Sequence, residues 1–316
     1  MLSVIICTHN PREDYLRRTL EGLKAQTLPT NQWEFLLIDN RSDPPLGARF
    51  DLSWHPDSKI VVEAELGLTP ARITGMRASR GDVLVFVDDD NILDRDFLKH
   101  VIAIATEHPL LGAWGGCIRP EFEELPDETL KGFLPALALR EFSTDKWSNF
   151  SGESEPCGAG MCVRRAVALR YQDVIANSPL RRSLDRRGTN LSSAGDTDIA
   201  QTAYDLGLGT GEFVRLQVIH LIPRNRVQAE YLFRIMENSA YSTTLLGLAK
   251  GKLEMPSAEP PAEPSLKRRL WSAFVKRVER PFTPDLSRTV AYRWAKGVAR
   301  AREDFRRSEA SGNGTK

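Results

Sequence analysis

Residues 82–91 read Asp82-Val-Leu-Val-Phe-Val87 followed by Asp88-Asp89-Asp90-Asn91. Five consecutive apolar residues, three of them valine, have the signature of a strand buried on both faces of a parallel sheet. Three carboxylates at its end repel one another unless a cation or water neutralises them. Hard oxygen donors suit Mg2+ or Mn2+, which keep several waters and share the remaining positions with substrate phosphates. The stretch therefore predicts a strand running into a metal–diphosphate site. The alternative is a solvated acidic loop that caps the next helix.

Towards the N-terminus the same grammar repeats. Leu2 to Cys7, Phe35 to Asp39 and Ile60 to Glu63 read as strands. Between them, Asn10 is placed to cap a helix beginning at Pro11 and carrying Leu16, Leu20 and Leu23, while Thr69-Pro70 starts a helix running to Ala78. Strands alternating with helices imply right-handed crossovers and an α/β fold with a Rossmann-like, mostly parallel sheet. Ligands of such sheets sit beyond the carboxyl ends of the strands. That rim receives Thr8-His9-Asn10, Asp39-Asn40 and the triple Asp.

Towards the C-terminus, helices are expected over 97–106, 164–171, 195–207 and 227–250, with strands over 113–118 and 213–220. Residues 121–150 are polar and aromatic without a clear period. Pro256, Pro260, Pro261 and Pro264 mark a linker. Beyond it, Leu266, Leu270, Trp271, Phe274, Val275 and Val278 share one helical face and basic residues fill the rest. The expected organisation is thus a domain over 1–225, its C-terminal helix over 226–250, a linker over 251–265 and a basic amphipathic tail over 266–316.

Composition sets the outer limits. With 41% hydrophobic and 27% charged residues, global disorder is excluded. The formal charge of +1 hides an asymmetry: Ser265 to Lys316 holds 14 Lys/Arg against 5 Asp/Glu, net +9, which leaves −8 on the preceding residues. A mildly acidic body predicts no nucleic-acid partner, whereas the basic tail suits an anionic membrane surface. The alternative for the tail is a helix that packs back on the domain or joins subunits. Cys7, Cys117, Cys157 and Cys162 have no CxxC spacing and no apolar leader precedes the first strand, so the setting expected is cytoplasmic, on the inner face of a membrane if the tail binds one.

Five stretches carry a family resemblance: SVIICTHN, LLIDNRSD, LTPARITGMRASRGDVLVFVDDDN, CGAGMCVRRA and AGDTDIAQTAYDLG. In this order and spacing, over residues 1 to about 225, the chain resembles the family 2 glycosyltransferases. The resemblance implies the GT-A, or nucleotide-diphospho-sugar transferase, fold with a C-terminal helical appendage. It also implies an inverting transfer from a nucleotide sugar, UDP first, to an acceptor hydroxyl on a glycan or lipid-linked acceptor, as in envelope polysaccharide or glycolipid synthesis.

Carried over by position, Thr8, Asp39 and Arg72 fall on the nucleotide side. Asp88 and Asp90 match the first and last acids of the family's DxD motif, which puts Asp88 and Asp89 on the donor side and Asp90 on the metal, Mn2+ or Mg2+, with Asp89 in the variable position as the alternative metal ligand. His220 is implied as a metal or diphosphate contact, Arg224 and Arg226 as diphosphate contacts, and Gly158 to Met161 as the acceptor-side segment. Asp196 occupies the place of the catalytic base, with Asp198 as the fallback because Gly195 stands where the family usually has an acid.

Each site residue also has a plainer reading. Asp39 would cap a turn, Arg72 would be a solvated helix residue, and Asp39 and Arg72 alike are expected on loops rather than in the core. Asp196 and Asp198 would suit a helix's first turn through its dipole. His220 would be a buried structural histidine, Arg224 and Arg226 exposed cations, and Gly158 to Met161 a tight turn. A non-catalytic nucleotide-sugar-binding or scaffold protein of the same fold is the rival from another class.

Overall fold

The computed structural model describes residues 1–255 and 286–310. Most of the Pro-rich linker and the basic amphipathic helix expected over 266–280 therefore lie outside the described residues.

The first strands are β1 (Leu2–Thr8), β2 (Trp33–Asp39), β3 (Ser58–Val62) and β4 (Val83–Val87), and they pair in parallel in the order β3-β2-β1-β4. Beyond β4 the sheet continues through β8 (Met161–Arg164), β6 (Leu111–Phe122), β9 (Gly209–Ile222) and β5 (Asn91–Leu93), while β7 (Lys146–Ser148) pairs with β9. β8 runs antiparallel to both β4 and β6, whereas β6 and β9 are parallel. The α/β class is as expected.

Alternation of side chains across the sheet fills two cores. Val4 and Ile6 pack with Leu16, Leu20 and Leu23 of α1 (Glu13–Lys24). Ile5, Leu36 and Ile38 pack on the other face with Ala71, Ile73 and Met76 of α2 (Leu68–Ala78). Each fully buried Leu or Ile contributes roughly 1.5–3 kcal/mol relative to exposure. Gly75 lets α2 approach the sheet, since a Cβ there would lie 2.6 Å from Ile5.

The remaining helices are α3 (Phe97–Glu107), α4 (Arg165–Ala176), α5 (Pro179–Arg182), α6 (Gly195–Gln201), α7 (Ala229–Ala249) and α8 (Leu286–Ala310). Several local expectations need correction. Asn10 has φ 48° and does not cap α1, which starts at Glu13; its side chain accepts the Asp43 amide instead. The helix over 195–207 stops at Gln201 and passes through a 3-10 turn (Tyr204–Leu206) to Gly207 at φ 68°. The strands over 113–118 and 213–220 are longer, because each satisfies the other's backbone along most of its length. The irregular stretch after β6 holds a 3-10 helix (Glu128–Leu137) packed against α7.

The described part of the tail packs back on the domain. Gly297, Ala301 and Phe305 bring α8 onto α7, and a Cβ on Gly297 would lie 3.1 Å from Ala240. Arg293 and Lys296 both pair with the buried Glu237 of α7, at 3.1 and 3.0 Å. No helix among the described residues is long and apolar enough to cross a membrane.

Candidate functional site

A cavity of about 560 Å3 opens beyond the carboxyl ends of β1 and β4. Thr8, Asp88, Asp89, Asp90 and Arg72 line its sheet side; Gly158, Asp185, Asp196, His220 and Arg226 come from later segments. The far wall is one stripe of α7, Tyr231, Ile235, Ser239 and Thr243, at helical spacing.

Asp90 anchors one charged group of the lining. Its Oδ2 accepts a hydrogen bond from Arg226 Nη1 at 2.8 Å and lies 3.5 Å from His220 Nε2, while Oδ1 accepts from Asn91 Nδ2 at 3.1 Å. Strand pairing makes this possible, for Asn91 of β5 sits opposite His220 of β9. Burial raises the pKa of Asp88 and, helped by the Asp90 charge, pushes that of Asp89 up to about 7. Burial acts on Asp90 too, but His220 and Arg226 outweigh it and hold its carboxyl well below the usual range. Asp89 accepts a short hydrogen bond from Thr8. His220 Nδ1 is buried with no hydrogen-bond partner.

Asp196, Arg72 and Asp185 form a second charged group of the lining. Asp196 Oδ2 accepts the Gly158 amide at 2.8 Å and Oδ1 accepts the Thr197 amide at 2.7 Å. Arg72, buried on α2, donates from Nη1 to Asp185 Oδ2 at 2.8 Å. Burial opposes the Arg72 charge, yet Asp185, Asp196 and Asp88 together raise its pKa. Burial raises that of Asp185 despite Arg72.

Four of the residues singled out above lie away from the cavity lining. Asp39 ends β2 with its carboxylate turned to the amides of Ser42 and Leu46, at 2.8 and 2.9 Å. Met161 is fully buried in the sheet core. Arg224 is exposed on a 3-10 turn, where its amide donates to Glu123. Asp198 is fully buried and pairs with Arg181 at 2.7 Å and Lys250 at 2.9 Å. The expectation that Asp39 and Arg72 sit on loops outside the core also fails, because their exposures are 2% and 4%.

The sequence profile of glycosyl transferase family 2 matches residues 3–170, more than half of the chain. The chain belongs to that family. The solved mannosyltransferase PcManGT from Pyrobaculum calidifontis, in complex with GDP-Man and Mn2+, superposes with a TM-score of 0.59 at 16% identity, covering 96% of this chain and 87% of that one. Likeness at that identity shows the fold, the GT-A arrangement of family 2 expected above. Glycosyltransferase AglE of Haloferax volcanii is 29% identical over 92 residues, 28% of this chain and 30% of that protein. A Macaca fascicularis protein named inactive polypeptide N-acetylgalactosaminyltransferase-like protein 5 is 27% identical over 164 residues, 48% of this chain and 35% of that protein. The matched stretches span from 12% to 36% of the curated relatives.

The family 2 match stops at residue 170, so Asp185, Asp196, His220 and Arg226 enter the cavity on geometry alone. Sequence reasoning missed Asp185, Arg186, Ser193 and the α7 stripe. The stripe had a legible signal, since Tyr231, Ser239 and Thr243 recur on one helical face; Asp185 in its polar loop had none. Asp90 Oδ2 and His220 Nε2, 3.5 Å apart, offer a divalent cation one carboxylate and one imidazole donor, with Arg226 Nη1 standing against both. Among the described residues no three acidic, His or Cys side chains are grouped to hold a metal by themselves.

Proposed function

We propose that this chain transfers a glycosyl group from a nucleotide-diphospho-sugar, UDP-linked first, to an acceptor hydroxyl, with inversion at the anomeric carbon. The observation that carries this reading is that a single cavity is lined both by Asp90, His220 and Arg226 and by Asp196. Inversion by in-line displacement needs a carboxylate on the acceptor side and positive charge on the leaving-group side.

Asp196 is the proposed base. Two backbone amides orient its carboxylate, which leaves lone pairs to accept the acceptor hydroxyl's proton as the new bond forms. Arg226 faces the departing diphosphate, where its planar cation suits phosphate oxygens. Thr8 and the Asp88–Asp89 pair take the nucleotide and ribose side. Asp39 acts there through the 42–46 turn that its carboxylate holds. Asp90 and His220 would hold Mn2+ or Mg2+, which would supply charge neutralisation of the diphosphate.

Acceptor hydroxyls have matching partners. Ser193, Thr197, Ser239 and Thr243 all line the same cavity as Asp196, and these hydroxyls support a glycan acceptor. Gly158 contributes to the acceptor side by holding Asp196 through its amide, while Met161 supports the segment from the core. An anionic membrane surface is the proposed partner of the tail: away from its Gly297, Ala301 and Phe305 face, α8 exposes Tyr292 at 69% and, farther along, Arg306.

Incubation with a panel of UDP- and GDP-linked sugars, following nucleotide release with and without Mn2+, tests the reading. Metal-dependent release that rises with a glycan acceptor supports transfer. Nucleotide-sugar binding by calorimetry without release from any donor overturns it in favour of a non-catalytic binding protein.

A further inference from the structure

Gly195 is a glycine for reasons of space. Its φ lies outside the left-handed region, and it opens the ordinary helix α6. A Cβ there would lie 2.5 Å from Asp185 Cγ and 3.0 Å from Oδ1, inside van der Waals contact. The Asp185 carboxylate thus fills the volume that a side chain next to Asp196 would occupy. Ala194 ties the two loops together by donating its amide to the Leu184 carbonyl at 3.1 Å.

Asp185 also holds Arg72. Its side chain is 5% exposed, as is that of Arg72, and Thr69 Oγ1 donates to the same oxygen at 3.3 Å. The guanidinium lies against Gly158: a Cβ there would be 2.7 Å from Arg72 Nη2 and 3.3 Å from Asp196 Oδ2. Arg72 is therefore a neighbour of both acids but is bonded to Asp185, while Asp196 is held by amides. Asp88 from the end of β4 and Arg186 from the Asp185 loop also face this group.

We propose that Asp185 is a positioning residue for transfer, which captures Arg72 and thereby keeps Asp196 available to take the acceptor proton. The inference rests on the reading of Asp196 as the base. A carboxylate in direct contact with an arginine is a weaker base, since such a partner lowers its pKa by about 1–3. Without Asp185, Asp196, which lies with Arg72 against Gly158, is the carboxylate left to act on that buried cation ahead of Asp88.

Asp185→Asn and Gly195→Ala test this from both sides of the contact, the first by removing the charge and the second by displacing it. With the panel donor that turns over fastest, each should lower kcat on the order of tenfold or more and move the acid limb of the kcat profile to lower pH by roughly one unit. Donor KM should stay within about threefold, since no direct donor contact is removed. A crystal structure of ligand-free Asp185→Asn protein should show Arg72 bonded to Asp196. A lowered Tm with an unmoved Arg72 and an unchanged pH profile overturns the inference, because a purely structural ion pair behaves that way. If Asp185→Asn does not fold, the Gly195→Ala profile decides alone. Asp196→Asn, run in parallel, separates the two levels. Parental turnover in that variant removes the base and this inference with it, whereas a dead Asp196→Asn beside parental Asp185→Asn and Gly195→Ala removes only the role of Asp185.

Discussion

Arg226 donates a 2.8 Å hydrogen bond to Asp90 from 136 residues away. The contact joins the end of β4 to the turn after β9 and places a cation beside the acid that faces the proposed metal and diphosphate. A charge-assisted hydrogen bond from Arg226 to a diphosphate oxygen would contribute about 1.5–3 kcal/mol, so Arg226→Ala should weaken UDP affinity roughly 10- to 100-fold. Calorimetry with UDP and Mn2+ checks this, and unchanged affinity removes Arg226 from the site.

Metal removal should be reversible. Chelator-treated protein is expected to lose transfer and to regain it with Mn2+ or Mg2+, and Asp90→Asn should not regain it. Full activity in excess EDTA would sink the assignment of Asp90 and His220.

Asp196 and Asp198 should separate cleanly. Asp196→Asn is expected to melt near the parent temperature and to lose transfer by about 10²–10⁴-fold. Asp198→Asn leaves Arg181 and Lys250 without their buried partner, a loss of about 3–5 kcal/mol that a melting curve will show. Near-parental turnover in Asp196→Asn together with a folded but dead Asp198→Asn would shift the base by two residues.

The docking of α8 should depend on pH. Burial raises the pKa of Glu237, but Lys296 and Arg293 outweigh it and leave it lowered. A lowered carboxylate contributes stability above the ordinary range and loses it as pH falls through the folded value. Glu237→Gln should therefore melt below the parent at pH 7, and the gap should close as pH falls below about 4. A gap independent of pH would show that the Glu237 charge does not hold the helix.

Membrane attraction through the tail should need charge. Full-length protein is expected to co-sediment with phosphatidylglycerol vesicles at low salt and not with neutral ones, each basic group near the surface adding on the order of 1 kcal/mol. Tyr292→Ala combined with Arg306→Glu should reduce it. Equal sedimentation with both vesicle types would leave α8 as a brace for α7 alone.

Alternating apolar strands and polar strand ends were enough to read the α/β class, the order of the first four elements and the rim on which Thr8, Asp88 and Asp90 gather. These are local properties: strand burial shows in an unbroken apolar run, and the rim follows from chain direction in a parallel sheet. Spacing also showed that Asp196 and Asp198 face apart. It did not show which faces the cavity, because that depends on Arg181 and Lys250 arriving from other segments to neutralise Asp198. Asp39 and Arg72 read as loop residues because nothing nearby announces their partners, the 42–46 amides and Asp185. The packing of α8 on α7 and the Asp185 carboxylate against Gly195 were decided only by the tertiary structure. Sequence pattern records which face of an element is apolar, whereas the partner of a buried charge is whichever distant segment the fold brings within hydrogen-bond reach.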